Sequence, residues 1–236
     1  IYESAITVEQ KLVKTMKDNP KVKIESQGHV CCTSDTEDGL KSFLVKSDCK
    51  RKICAFEYIY FARPDTALEG INVHEIREKS GEKIWEQAPV EADLVVGVPD
   101  SGVPAAIGFS KASGIPFRPA LIKNRYIARS FIVPSQEMRE RVVNLKLNPI
   151  VSEIKGKFVV IIDDSIVRGT TSKRLVKILR DSGAREIHFR SVSPPIIAPC
   201  FLGIDTPKKD DLIAANMTVE ELKDYLGVDS LEFLSV

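Results

Sequence analysis

Two adjacent carboxylates followed by a run of hydroxyl residues carry the clearest chemistry in this chain: Asp163, Asp164, Ser165, Ile166, Val167, Arg168, Gly169, Thr170, Thr171 and Ser172. Ahead of them, residues 158–162 are continuously apolar, as a strand buried on both faces must be. The strand delivers the acid pair to its carboxyl end, and the loop runs straight into a helix expected over residues 171–181. Unpaired N–H groups and the positive dipole end at a helix start attract anions. Gly169 lets backbone approach closely, and Thr170, Thr171 and Ser172 add hydroxyl donors. The acid pair attracts a divalent cation or sugar hydroxyls. A ligand that joins phosphate, ribose and magnesium suits both halves. Acidic pairs after strands are commonplace, so the hydroxyl-rich loop gives the pair its weight. No Gly-Lys-Ser/Thr follows, so this is not a Walker P-loop. Neither G-x-G-x-x-G nor G-x-S-x-G occurs, which weakens dinucleotide-binding and α/β-hydrolase readings.

The elements that must position these residues alternate in type from about residue 90 onward. Residues 93–98 read as a short buried strand ending at Pro99, Asp100, Ser101 and Gly102. A helix is expected over residues 104–113, with Pro104 in its first turn and Gly114 after its end. Residues 117–122 read as a second strand, Ser135 opens a charged helix toward Lys146, and residues 186–192 read as another strand. Asn72 with Glu75, and Thr218 with Glu221, have the spacing of capping boxes. Strands separated by helices of this length argue βαβ units, hence an α/β fold with a parallel sheet flanked by helices on both faces. Ligands of such sheets bind at the carboxyl ends of the strands, here just after Val98, Ile122 and Ile162.

Composition sets the outer limits. The chain has 236 residues, with 34 Lys and Arg against 33 Asp and Glu, a formal net charge of +1. That balance supports no nucleic-acid footprint. Apolar runs of about five residues are far short of the roughly 20 a membrane-spanning helix needs. The five cysteines, at 31, 32, 49, 54 and 200, are an odd number with no secreted disulfide spacing, which points to a reducing compartment, and the lack of a signal-peptide pattern leads to the expectation of a cytoplasmic protein. His29, Cys31, Cys32 and Cys49 fit no standard zinc spacing. His74 and His188 read as surface or satisfied residues. Residues 1–52 are polar, Lys-rich and weakly periodic.

The Asp163–Thr171 run after its apolar strand resembles the phosphoribosyl-pyrophosphate loop of type I phosphoribosyltransferases. Phe56-Glu-Tyr-Ile-Tyr-Phe-Ala-Arg-Pro-Asp65, Val98-Pro-Asp-Ser-Gly102, Lys123-Asn-Arg-Tyr126 and Pro194-Pro-Ile-Ile-Ala-Pro-Cys200 narrow the resemblance to the glutamine phosphoribosylpyrophosphate amidotransferase family. The resemblance covers residues 53–236 and implies a phosphoribosyltransferase domain there. Residues 1–52 would be the tail of a glutaminase domain or an irregular connector. The starting residue, Ile1, and the abrupt end at Val236 lead to the expectation of a truncated chain without the glutaminase nucleophile. The implied reaction joins phosphoribosyl pyrophosphate and ammonia, taken from glutamine in the full enzyme, to give 5-phosphoribosylamine and pyrophosphate, the first step of de novo purine biosynthesis.

The same resemblance assigns roles. Asp163 and Asp164 would engage the ribose hydroxyls and, with Ser101, Mg²⁺. Residues 165–172, including Ser165, Val167, Arg168, Gly169, Thr170, Thr171 and Ser172, would cradle the 5′-phosphate. Ser101 and Gly102 would lie at the pyrophosphate. Lys123, Tyr126 and Arg129 belong to a basic stretch, Arg118 to Lys146, with seven Lys or Arg against two Glu, that resembles a flexible lid. Mg²⁺ and the cations Lys123 and Arg129 would stabilise charge on the leaving group. Cys54 and Cys200 match two ligand positions of family members that carry a 4Fe-4S cluster. A cluster takes four thiolates, and no C-x-x-C supplies the other two, so two buried thiols are expected here. Homo-oligomers and inhibition by purine nucleotides are implied as well. Two rival readings share the phosphate loop: a salvage phosphoribosyltransferase, and a regulator that binds phosphoribosyl pyrophosphate without turning it over.

Overall fold

In the computed structural model, the structure describes residues 22–26, 30–36, 39–44, 53–123, 147–200 and 208–235. The expected helix after Ser135, with Tyr126 and Arg129, lies outside them. The chain divides into two compact units, residues 1–55 and 56–236. In the first, β1 (Val22–Ser26), β2 (Val30–Thr36) and β3 (Gly39–Leu44) form an antiparallel three-stranded sheet. Within residues 22–44 the described strands pair with their sequence neighbours despite the weak apolar pattern.

The second unit begins with a π-helical turn, Glu57–Phe61, and a two-residue pairing of β4 (Ala67–Leu68) with β5 (Ile71–Asn72). Helix α1 (Val73–Gln87) follows. Its N-cap Asn72 accepts hydrogen bonds from the His74 and Glu75 backbone N–H groups, at 2.8 and 3.3 Å. The main sheet is parallel, in the order β11 (Ser230–Phe233), β10 (Glu186–Ser191), β9 (Phe158–Asp163), β6 (Leu94–Gly97). Between β6 and β9 lie α2 (Gly102–Ser113), the hairpin strands β7 (Leu121–Lys123) and β8 (Leu147–Pro149), and α3 (Val151–Ile154). After β9 come α4 (Thr170–Asp181), then, beyond β10, α5 (Ile213–Asn216) and α6 (Val219–Leu226).

Alternation along each strand loads both faces. Val96, Ile161, Ile187 and Phe189 point to one face, where they meet Leu175 and Leu179 of α4 and Leu222 and Leu226 of α6. Val95, Val160 and Ile162 point to the other, against Ile84 of α1 and Ala105, Ala106 and Phe109 of α2. Each Val, Leu, Ile or Phe among them, fully removed from water, contributes roughly 1.5–3 kcal/mol. Helices α1 and α2 touch backbone to backbone: a Cβ on Gly81 would sit 1.8 Å from the Ala105 carbonyl oxygen, and one on Gly108 1.9 Å from that of Glu78.

The strand expected over residues 117–122 is not continuous. Phe117 makes one isolated parallel bridge to Val95 of β6. At Pro119, which has no N–H to donate, the chain leaves the sheet, and β7 pairs antiparallel with β8 instead. The bridge still places a sequence-earlier segment on the far side of β6 from β9. The direction of winding therefore reverses between β6 and β9, and the crevice of such a sheet opens at that reversal. Among the described residues, no helix is long and apolar enough to cross a membrane.

Candidate active site

The loops that leave β6 and β9 meet at this reversal. The Val98 N–H donates to the Ile162 carbonyl at 2.9 Å, carrying the pairing to the last residue before the acid pair. The peptide between Pro99 and Asp100 is cis. The Ser101 hydroxyl donates to Asp164 Oδ2 in a short hydrogen bond, and the Ser165 hydroxyl donates to Asp164 Oδ1 at 2.8 Å. The Asp164 N–H donates to Asp163 Oδ1 at 2.9 Å. Gly102 has a packing reason to be bare: its Cβ would lie 2.5 Å from the Ile162 carbonyl oxygen, so any side chain would push α2 off β9.

Both carboxylates are buried, at 8% and 9% exposure. Burial, and then the neighbouring Asp164 charge, push the Asp163 carboxyl up to about 8, against a smaller opposing effect of the Asp164 N–H. A cation at this buried pair would lower the cost of ionising Asp163. Mg²⁺ is usually held by one or two carboxylates together with substrate phosphates. Among the described residues, no group of three or more His, Cys, Asp or Glu could hold an ion on protein ligands alone. The donor set of Asp163, Asp164 and Ser101 therefore fits an ion that arrives with a phosphorylated substrate.

Helix α4 begins at Gly169, in the left-handed region at φ 72°, and no side chain caps it. Arg168, Thr170 and Thr171 are exposed around this start, whereas Ser165 and Val167 are half-buried. Ser172 is buried at 4% exposure. It faces the packed side of the helix, so the open part of the cradle is Arg168 to Thr171. Lys123 reaches across from β7 and pairs with Asp100 at 2.6 Å. Both side chains are more than half exposed, so the pair adds little stability and leaves the ammonium at the mouth of the β6 loop. Ile122, expected at a strand end within the sheet, is 52% exposed on the hairpin instead.

His74 lies at the surface as expected, whereas Cys54 and His188 depart from expectation. Cys54 is exposed rather than buried, because it precedes the π-helical turn on an open stretch of chain; Cys200 is half-buried. Two thiolates are half of a cluster's set, so no cluster chemistry is assigned to them. His188 is buried on β10, with Nδ1 2.9 Å from the Ser230 hydroxyl and Nε2 without a hydrogen-bond partner. Glu186 lies 3.5 Å from that nitrogen without forming a hydrogen bond to it. Burial, and then the Arg190 charge, hold its pKa below the usual histidine value.

Sequence reading missed Arg77. Its guanidinium is buried at 4% exposure and donates from Nε to the Tyr58 carbonyl (2.7 Å) and from Nη2 to the Ala62 carbonyl (2.9 Å). It thereby pins the 56–65 run to α1. Burial lowers its pKa, and the Asp164 carboxylate partly offsets that, so the two charges attract. The available signal was an arginine on the buried stripe Val73, Arg77, Gly81, Ile84 of α1.

Fold and site together define a phosphoribosyltransferase of type I. The family model for the phosphoribosyl transferase domain matches residues 71–192, and the chain belongs to that family. Its similarity is more particular than the family. It is 52% identical over 200 residues to the amidophosphoribosyltransferase of Synechocystis sp., covering 85% of this chain and 40% of that protein. It is 51% identical over 200 residues to the amidophosphoribosyltransferase of Bacillus subtilis, covering 85% and 42%. The solved B. subtilis glutamine phosphoribosylpyrophosphate amidotransferase, complexed with ADP and GMP, superposes with a TM-score of 0.78 at 48% identity, over 91% of this chain and 47% of that one. The chain thus spans less than half the length of these relatives.

Proposed function

We propose that residues 56–236 perform amidophosphoribosyl transfer: phosphoribosyl pyrophosphate plus ammonia gives 5-phosphoribosylamine and pyrophosphate. The observation that carries this reading is the meeting of the β6 and β9 loops, where Ser101 is hydrogen-bonded to the acid pair beside an uncapped helix start. About 50% identity to amidophosphoribosyltransferases supports it over salvage of a free base. The bond from ribose C1 to the pyrophosphate oxygen breaks, and its electron pair leaves with pyrophosphate. The ammonia lone pair forms the C1–N bond, and the resulting ammonium releases a proton to solvent.

No residue of this chain need act as nucleophile, so its work is positioning and electrostatics. Asp163 and Asp164 accept from the ribose hydroxyls, with Asp164 oriented by Ser101 and Ser165. Residues 165–171 hold the 5′-phosphate through backbone N–H groups and hydroxyls. Gly102 lets α2 seat the pyrophosphate loop against β9. Lys123, with Tyr126 and Arg129 of the lid, covers the pyrophosphate. Mg²⁺, at Asp163, Asp164 and Ser101, supplies charge neutralisation on the leaving group. As in a full-length enzyme of this kind, glutamine would supply the ammonia, purine nucleotides would compete at the phosphate loop or bind nearby, and copies of the chain would associate.

The test is Mg²⁺-dependent pyrophosphate release from phosphoribosyl pyrophosphate with ammonium, with glutamine and with neither. Release that requires ammonium supports the reading. Release that instead requires a purine or pyrimidine base identifies a salvage enzyme, and saturable binding with no release identifies a regulator.

A further inference from the structure

The phosphate loop does not hold its own shape; a segment beyond the matched residues 71–192 holds it from behind. The Ile213 N–H donates to the Val167 carbonyl at 3.0 Å. In a trans peptide the C=O and the next N–H point in opposite directions. Pinning the Val167 carbonyl toward α5 therefore aims the Arg168 N–H the other way, into the loop. Gly169, at φ 72°, rests against the same wall: a Cβ there would meet Ile213 Cδ1 at 2.6 Å and Tyr225 Cε1 at 3.4 Å. The first turn of α4 is tied down too. The Lys173 N–H donates to the Gly169 carbonyl at 2.8 Å, and its ammonium lies 3.8 Å from the centre of the Tyr225 ring. Ile213 is itself buried, at 8% exposure, in the core beneath α4 and α6.

We infer that Ile213 and Tyr225 are positioning residues for the 5′-phosphate of the substrate: they set the direction of the loop N–H groups without touching the ligand. This rests on the reading of residues 165–171 as a phosphate cradle. The hydrogen bond and the packing against Gly169 dominate, because a cation over a ring still partly in water contributes only about 0.5–1 kcal/mol.

Position 213 allows a clean probe. It is the first residue of α5, where proline is tolerated, and Leu212 before it is extended (φ −82°, ψ 110°), as the residue before a proline must be. Ile213→Pro removes the N–H; Ile213→Val keeps it along with most of the wall. Binding of ribose 5-phosphate and, separately, of Mg²⁺-pyrophosphate is measured by calorimetry on the full chain, with melting curves for each variant. Ile213→Pro is expected to weaken ribose 5-phosphate by about tenfold, and Tyr225→Leu by about threefold. Pyrophosphate binding stays unchanged in both, and Ile213→Val binds both ligands as wild type does. Wild-type affinity for ribose 5-phosphate in Ile213→Pro and Tyr225→Leu overturns the inference, as does equal loss of both ligands, which marks general loosening. If Ile213→Pro fails to fold, Tyr225→Leu decides by the same criteria. A wild-type chain that binds pyrophosphate but not ribose 5-phosphate overturns the cradle itself and the inference with it.

Discussion

Among the described residues, four helices have eight residues or more, and their starts fall into two kinds. Helices α1 and α6 are closed by their own side chains. Asn72 caps the first, and Thr218 and Glu221 form a reciprocal box at the second. Helices α2 and α4, which begin at the acid pair, have no side-chain cap. Ser101 stands at the N-cap position of α2, but its hydroxyl is turned to Asp164. Gly169 at the N-cap of α4 has no side chain to offer. A missing cap costs about 1 kcal/mol. The two starts that forgo it are those that face the substrate in the proposed reaction. The Gly102 N–H donates to the Val98 carbonyl, and no side chain of the N-cap residue occupies the other N–H groups. Under the proposed reaction, α1 and α6 serve stability and α2 and α4 serve recognition.

The comparison can be broken most sharply at the acid pair. Asp163→Asn is expected to slow pyrophosphate release by about a hundredfold or more while the fold persists. Unchanged turnover would remove Asp163 from the site. The same variant tests the electrostatics of the free protein. The Asp163 carboxyl stands near 8 in the folded chain and near 3.8 unfolded. The folded state therefore holds the extra proton between those values, and wild-type stability falls as pH rises through that window. Urea melts from pH 4 to pH 8 should show this fall in wild type and a flatter profile in Asp163→Asn.

At the uncapped start of α4, Gly169→Ala forces both a strained φ and a clash with Ile213. A rise in KM of more than about tenfold is expected, with a stability loss of about 1–3 kcal/mol. Thr171→Val removes one hydroxyl from the open part of the cradle and should raise KM by about tenfold, the value of one hydrogen bond to a charged group. An unaltered KM would take Thr171 out of the cradle. The smallest effect is expected at a capped start. Asn72→Ala should lower stability by about 1 kcal/mol and leave ribose 5-phosphate affinity at the wild-type value. A loss of affinity there would erase the distinction between the two kinds of helix start.

Much of this division of labour is legible in the amino-acid order. The apolar run into Asp163 and Asp164, the two capping patterns at Asn72 and Thr218, and the alternation of strands and helices each depend on residues a few positions apart. Local periodicity and backbone hydrogen-bonding needs therefore specify them wherever the chain folds. The departure at Pro119 was legible in principle, since a proline cannot donate to a ladder, but the antiparallel partner Leu147–Pro149 lies far along the chain. What only the tertiary structure decided is which distant groups meet. Ser101 joins Asp164 across 63 residues, Arg77 reaches the carbonyls of Tyr58 and Ala62, and Ile213 and Tyr225 press on Gly169. The raised Asp163 pKa belongs to the same class, because burial is a property of packed neighbours and not of the Asp-Asp dipeptide. Residue order determined which groups stand at the strand end; the packing of α5 and α6 against α4, and of α2 against β9, decided their direction and their charge.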